Sequence, residues 1–316
     1  MNVSQQRPHG LLVVGSLAFD SIETPSGKAD RVLGGSVNYF SVGASLFTPV
    51  SVVGVVGDDF PEEHLAFMRT RGIDTSGVQR VHGKTFYWKG QYATNLDEAK
   101  TLTTELNVFK DFHPRLSGEQ LTARHVFLAN IDPLLQAGVL DQLQKPELVA
   151  LDTMNFWLQG PKKTEVLDVL KRVDVLSVNE MEAGLLSGQT NLVLAAEAIQ
   201  RLGPKAVFIK RGQIGSALFF EKDVFLLPAF PVRLAKDPTG AGDTFAAGVM
   251  GYLTRQGLSR DDLSGTKGLH ELKQAMVRGT VLASFTVEDF GLRRLSTLTL
   301  SDLENRIAEF TRMVRF

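Results

Sequence analysis

Short runs of aliphatic and β-branched residues alternate along this chain with stretches whose apolar positions recur every three to four residues. Leu11–Gly15, Val50–Val56, His125–Ala129, Leu148–Leu151, Val175–Val178 and Ala206–Ile209 are candidate strands. Each is too short for a helix and nearly continuous in apolar character, as a strand buried on both faces requires. Between them, Val37–Leu46, Glu62–Arg71, Leu134–Leu143, Thr164–Val173 and Leu192–Leu202 carry helical periodicity, and from Ala241 onward almost everything does. This alternation predicts an α/β fold of three layers, a mainly parallel central sheet with helices on both faces.

Two stretches break the rhythm. Phe19–Val32 carries "ETPSGKADRV", and Val78–Val108 carries "TFYWKGQYATNLDEAKTLTTEL", rich in Thr and aromatics with "KG" and "NLDE" as turns. Both read as hairpins with one face open to water. They are too short to be domains. The expectation is therefore one domain over residues 1–316, with a small β lid drawn from about 19–33 and 78–108. Alternation puts Phe86 and Trp88 on one lid face and Tyr87 on the other. Such residues usually pack a lid onto its body or onto a second subunit; stacking over a nucleoside base, with Tyr92, is the sharper alternative.

Charge and composition narrow the partners. With 34 basic against 35 acidic residues, the net charge of −1 offers no long-range attraction for nucleic acid or anionic membrane. No cysteine is present, which removes disulfides, thiolate metal sites and cysteine nucleophiles together. Arg7 ahead of an apolar run looks like the start of a signal peptide, but Gly15 and Ser16 interrupt the run and Asp20 follows. No apolar stretch approaches the ~20 residues of a membrane helix. The expectation is a soluble, cytoplasmic protein.

The chemistry concentrates in "DPTGAGDTFAAG", Asp237–Gly248. Pro238 holds the residue before it extended. Gly240 and Gly242 let the backbone turn sharply and approach a ligand without a Cβ in the way. The helix that starts near Ala241 presents free N–H groups and the positive end of its dipole, a ready anion site. Asp243 sits in that first turn. A phosphoryl group held by N–H groups beside a carboxylate that accepts a hydroxyl proton is the arrangement for phosphoryl transfer to an alcohol. Taken alone, Gly-Ala-Gly is a turn and Asp243 only complements the helix dipole.

The full string resembles the signature of the ribokinase (PfkB-type) carbohydrate kinase family, and the resemblance runs through nearly the whole chain. "VVGSLAFD" looks like that family's first strand, whose closing aspartate, here Asp20, binds substrate hydroxyls. "LGGSVNYF" is similar to its second signature, which implies that Gly34 and Gly35 lie under the substrate and that Asn38 hydrogen-bonds a sugar hydroxyl. "VVGVVGDDF" resembles the strand and turn that follow. "LDTMNFW" implies Asp152 and Asn155 near the phosphate path, and "SVNEMEAGLL" implies Asn179 and Glu182 holding waters around Mg²⁺, with Asn179 also at the nucleotide. "FIKRGQIGSALF" implies Lys210 and Gly212 approaching the nucleotide. The family pattern makes Asp243 the catalytic base and Gly240, Ala241 and Gly242 the anion hole. It further implies ATP as phosphoryl donor, a ribokinase-like fold, and a homodimer through the lid. Asp237 and Thr239 stand where the family's monovalent-cation site, taken by K⁺, begins.

Departures shape the acceptor. Ala18 stands where ribokinases proper carry asparagine, which points away from ribose itself. "FTVEDFG" replaces a basic segment near the nucleotide, keeping Gly291 there but introducing Glu288 and Asp289. A sugar or sugar-like acceptor is the first expectation and a nucleoside the second; a silent ligand-binding relative ranks last, because base and glycines are intact. "HGKT" at His82–Thr85 is no P-loop, since Val78 stands where that motif needs glycine, and "GSLAFD" is no dinucleotide fingerprint.

Overall fold

The computed structural model describes residues 10–96 and 99–315, so Arg7 and the Asp97–Glu98 end of the "NLDE" turn lie outside the described residues. A nine-stranded sheet forms the middle layer. Its strands are β1 (Leu11–Val14), β4 (Val50–Val56), β5 (Ile73–Arg80), β8 (His125–Leu128), β9 (Leu148–Asp152), β10 (Val175–Asn179), β11 (Ala206–Lys210), β12 (Ser216–Phe220) and β13 (Asp223–Leu227). They lie in the order β13-β12-β11-β10-β9-β8-β1-β4-β5. All pairs from β11 to β5 are parallel, and only the β11–β12–β13 edge turns antiparallel.

Side-chain alternation splits the core in two. Leu11 and Val13 of β1 join one cluster; Leu12 and Val14 join the other. On the first face lie α1 (Ser36–Ala44), α8 (Ala241–Arg255) and α9 (Gly265–Thr286), through Phe40, Phe245, Val249, Leu272 and Met276. Phe40 stacks on Phe127 of β8 with centroids 4.1 Å apart. On the second face lie α3 (Pro133–Gln142), α5 (Lys163–Leu170), α6 (Glu180–Ser187) and α7 (Leu192–Gln200), through Val139, Val166, Leu186 and Ile199. The expected three-layer architecture is present.

A second, four-stranded sheet takes β2 (Ala18–Thr24), β3 (Gly27–Gly34), β6 (Phe86–Tyr92) and β7 (Ala99–Glu105) in the order β3-β2-β6-β7. Both expected hairpins form, and they join through a parallel β2–β6 seam that pairs Asp20 with Trp88. Asp20 therefore stands within this small sheet and does not close β1. Val78, expected at the start of a hairpin, belongs instead to β5, the polar edge of the large sheet. The "HGKT" stretch ties off a loop: Asp58 accepts from Gly83 N, and Thr85 donates to Asp59. No helix among the described residues is long and apolar enough to cross a membrane.

Candidate active site

The chain leaves β1 for β4 and β5 on one side, then returns to β8 on the other. Strand order reverses at β1, and the crevice beyond the carboxyl ends of such strands is where α/β sheets take ligands. The N-terminus of α8 lies at this end. Gly240 precedes it with φ 76°, and a Cβ there would sit 2.3 Å from the Tyr39 ring, so only glycine fits. Its carbonyl accepts from Thr244 N and Thr244 Oγ1 at 2.9 and 2.7 Å. The Ala241 amide is already used, donating to Pro238 O at 3.1 Å. The Gly242 and Asp243 amides, in the first helical turn, have no backbone carbonyl among the described residues; Asp243 N turns to its own carboxylate.

Acidic groups converge on this turn. Burial, with Asp152 nearby and against the pull of Lys210, pushes the Asp243 carboxyl up to about 7. Asp20 is pushed up to about 8, by burial first and then by Asp237 and Asp243, although Gly35 N donates to it. Its carboxylate lies against Gly34, where a Cβ would overlap it. On the other side, Lys210 Nζ pairs with Asp152 Oδ2 at 2.8 Å and would lie 3.1 Å from a Cβ on Gly242. Burial opposes that ammonium charge, yet Asp152 and Glu182 hold its pKa above the ordinary lysine value. Asp243 is thus within the electrostatic reach of both the buried Asp20 carboxyl and the buried Lys210 ammonium.

Asn179 and Glu182 form a reciprocal cap on α6: Asn179 Oδ1 accepts from Glu182 N, and Glu182 Oε2 from Asn179 N, each at 2.8 Å. Burial raises the Glu182 carboxyl pKa. Among the described residues, no three His, Cys, Asp or Glu side chains converge to hold a metal directly. The carboxylate and amide oxygens of Glu182 and Asn179 are donors of the kind that suit a hard cation. A cleft of about 560 Å³ joins Lys210, Gly212, Ala241 and Gly242 to an apolar end with Phe230, Phe245 and Ala283. Ser216 and Thr280 line it too, their hydroxyls buried without a partner among the described residues.

A pfkB family carbohydrate kinase model matches residues 10–298, all but the ends of the chain. The chain belongs to this family. As a PfkB kinase it is a phosphotransferase with an alcohol group as acceptor. It is 28% identical to the cytidine kinase of Thermococcus kodakarensis, over 78% of this chain and 88% of that one. It is 36% identical to the ribokinase of Arabidopsis thaliana, over 75% and 68%. The nucleoside kinase of Methanocaldococcus jannaschii superposes with TM-score 0.73 over 95% of this chain and 98% of that one, at 19% identity, which shows the shared fold.

Several expected positions of this PfkB kinase come together: Asp20 with Gly34 and Gly35, within the field of Asp243, and Lys210, Gly212 and Gly242 along the cleft. Others do not. Asn38 is 0% exposed, with Nδ2 donating to Gly34 O and Oδ1 bound to His64 Nε2 at 2.9 Å, so neither end is open to a sugar. Ala241 contributes a cleft wall but not a free amide. Gly291 donates to Asp237 Oδ2 at 3.1 Å and packs near Val32, away from the cleft. Glu288 and Asp289 are paired with Arg294, Arg306 and Lys236. The aromatics are also engaged: Phe19 lies under Arg31 and beside Phe60, Phe86 on Phe109, and Trp88 donates to Thr101. Nothing in residue spacing signals His64, which reaches Asn38 only through the fold.

Proposed function

We propose that this kinase moves the γ-phosphoryl group of ATP to a hydroxyl of a sugar or sugar-like molecule, with Asp243 as general base. The observation that carries this reading is the position of Asp243, within the field of Asp20 on one side and of Lys210 and Asp152 on the other. ATP with Mg²⁺, when bound, supplies the phosphoryl group and a cation that neutralises it. Asp20, with the backbone at Gly34 and Gly35, holds acceptor hydroxyls. Asp243 draws off the proton of the attacking hydroxyl, and its raised pKa matches that task at neutral pH. The Gly242 amide and the Lys210 ammonium stabilise charge on the phosphoryl oxygens. Glu182, with Asn179, holds waters of the metal, and the small sheet acts as a lid that keeps bulk water out. Ser216 and Thr280 offer hydroxyls, and Gly212 close backbone approach, to the donor nucleotide. Asp237 is fully buried with no ion pair among the described residues, which together with Thr239 suits a monovalent cation such as K⁺.

A nucleoside acceptor is the second reading. The names of two relatives favour it, cytidine kinase and a nucleoside kinase from Methanothermobacter thermautotrophicus. The packing of Phe19 under Arg31 and of Phe86 on Phe109 favours a bare sugar, because each of these rings already has a face occupied. Acceptor-dependent ADP release across ribose, fructose, cytidine and adenosine tests both. Turnover with a sugar alone supports the first reading, turnover with nucleosides alone the second. ADP release independent of every acceptor contradicts the phosphotransfer assignment.

A further inference from the structure

Tyr39 stands next to Asn38 on α1 and differs from it in every relevant way. Asn38 spends both polar atoms on Gly34 and His64. Tyr39 is 1% exposed, and its hydroxyl is buried with no hydrogen-bond partner among the described residues. Buried hydroxyls in folded proteins are nearly always satisfied, so an unpaired one at a binding crevice points to a partner that arrives with a ligand. Other buried hydroxyls also lack partners among the described residues, including those of Ser41 and Thr254. Tyr39 is set apart by where it sits. Its ring forms the floor under Gly240, at the mouth of the α8 turn. The charges that act on it are those of Asp20, Asp237 and Asp243, with the Tyr92 phenol among them. Tyr92, the last residue of β6, accepts a hydrogen bond from Thr239 Oγ1 at 3.1 Å. Tyr92 thus ties the end of β6 to the segment just before Gly240, against which the Tyr39 ring packs.

We infer that Tyr39, in the place expected of Asn38, is an acceptor ligand: its hydroxyl binds an acceptor hydroxyl beside the one held by Asp20. The inference rests on the kinase reading above and deepens it. A phenol both donates and accepts, so it bridges an acceptor hydroxyl and an acidic neighbour in either protonation state. Its rigid ring, packed on Gly240, also fixes how deep the acceptor sits relative to the phosphoryl-binding amides. A bulky, planar floor of this kind selects acceptors by the position of one hydroxyl.

Tyr39→Phe tests the inference, because it removes one oxygen and keeps the packing against Gly240. The assay uses whichever of ribose, fructose, cytidine or adenosine supports the fastest ADP release by wild-type protein, together with its single-deoxy analogues. The expected result is a loss of about 3- to 10-fold in kcat/KM for the acceptor, the worth of one hydrogen bond, with KM for ATP unchanged. Melting temperature stays equal or rises, since an unpaired hydroxyl has gone. One deoxy analogue that wild type handles poorly is then handled by the variant no worse than the parent acceptor, the coupling expected of groups in contact. If acceptor kcat/KM stays within twofold and every deoxy penalty persists, the Tyr39 assignment is overturned. A drop in kcat without any change in deoxy selectivity overturns it as well, since that is the mark of a group acting only through Gly240. Wild-type protein inactive toward all four acceptors refutes the kinase reading instead, so the two failures are distinguishable.

Discussion

Replacing Asp243 with asparagine makes two opposite demands of the same side chain. Chemistry needs the carboxylate, and folding does not. Loss of a general base lowers kcat by ~10²–10⁴, while ATP binding survives. Stability moves the other way. The Asp243 pKa is raised from 3.8 to about 7 by burial, then by Asp152, so the folded state holds a proton that the unfolded chain releases. Stability contributed by this group therefore falls as pH rises from near 4 to near 7, and levels off above that. A shift of about three units corresponds to roughly 4 kcal/mol at most. Asp243 is only partly buried, and solvent screening trims the figure to ~1–3 kcal/mol. Asp243→Asn recovers that amount, raising Tm by a few degrees at pH 8 and by progressively less as pH falls toward 4. Acceptor-dependent ADP release and thermal melting across pH 4–8 check both halves. The wild-type kcat/KM profile carries an acid limb near pH 7, climbing about tenfold per unit below it. Near-normal turnover in the variant refutes the base assignment, and a melting temperature below wild type at pH 8 refutes the buried-charge reasoning.

The remaining predictions separate the parts of the site. Gly240→Ala places a Cβ against the Tyr39 ring at φ 76° and should cost ~2–4 kcal/mol, seen as a lower Tm and lost ATP binding. Gly242→Ala meets only the end of the Lys210 side chain, no closer than 3.1 Å, so Tm holds while kcat falls by about tenfold or more; equal melting losses in both variants contradict this contrast. Lys210→Met strands Asp152 as a buried lone charge and should destabilise by ~3–5 kcal/mol, largely restored by adding Asp152→Asn. Glu182→Gln keeps the cap on α6 but removes the charge, so Tm is held while the Mg²⁺ concentration for half-maximal rate rises; an unchanged Mg²⁺ dependence argues against the metal assignment.

Much of the architecture was legible because buried parallel strands announce themselves. Val50–Val56 and Ala206–Lys210 are apolar on both faces, and the layers between them repeat. β5 escaped because an edge strand such as "IDTSGVQR" needs no apolar run. β13, with Val224 and Leu226 exposed, escaped for the same reason. Within the site, the turn at Gly240 and the cap joining Asn179 to Glu182 are local, so short-range spacing reveals them. What stayed hidden is set by contacts between distant segments. Asn38 Oδ1 is taken by His64, 26 residues away, and Gly291 N is claimed by Asp237, 54 residues away. Tyr39 gains its interest only from being packed under Gly240. Spacing along a chain carries no record of which neighbour reaches a polar atom first.

The central claim is transfer of a phosphoryl group to a hydroxyl through Asp243 and the amides that follow Gly240. Phosphorus NMR of wild-type protein with ATP, Mg²⁺ and the acceptor panel reads this directly. A phosphomonoester resonance growing in step with ADP, and absent with Asp243→Asn, is the predicted outcome. ADP accompanied only by inorganic phosphate, whatever acceptor is present, would contradict the account.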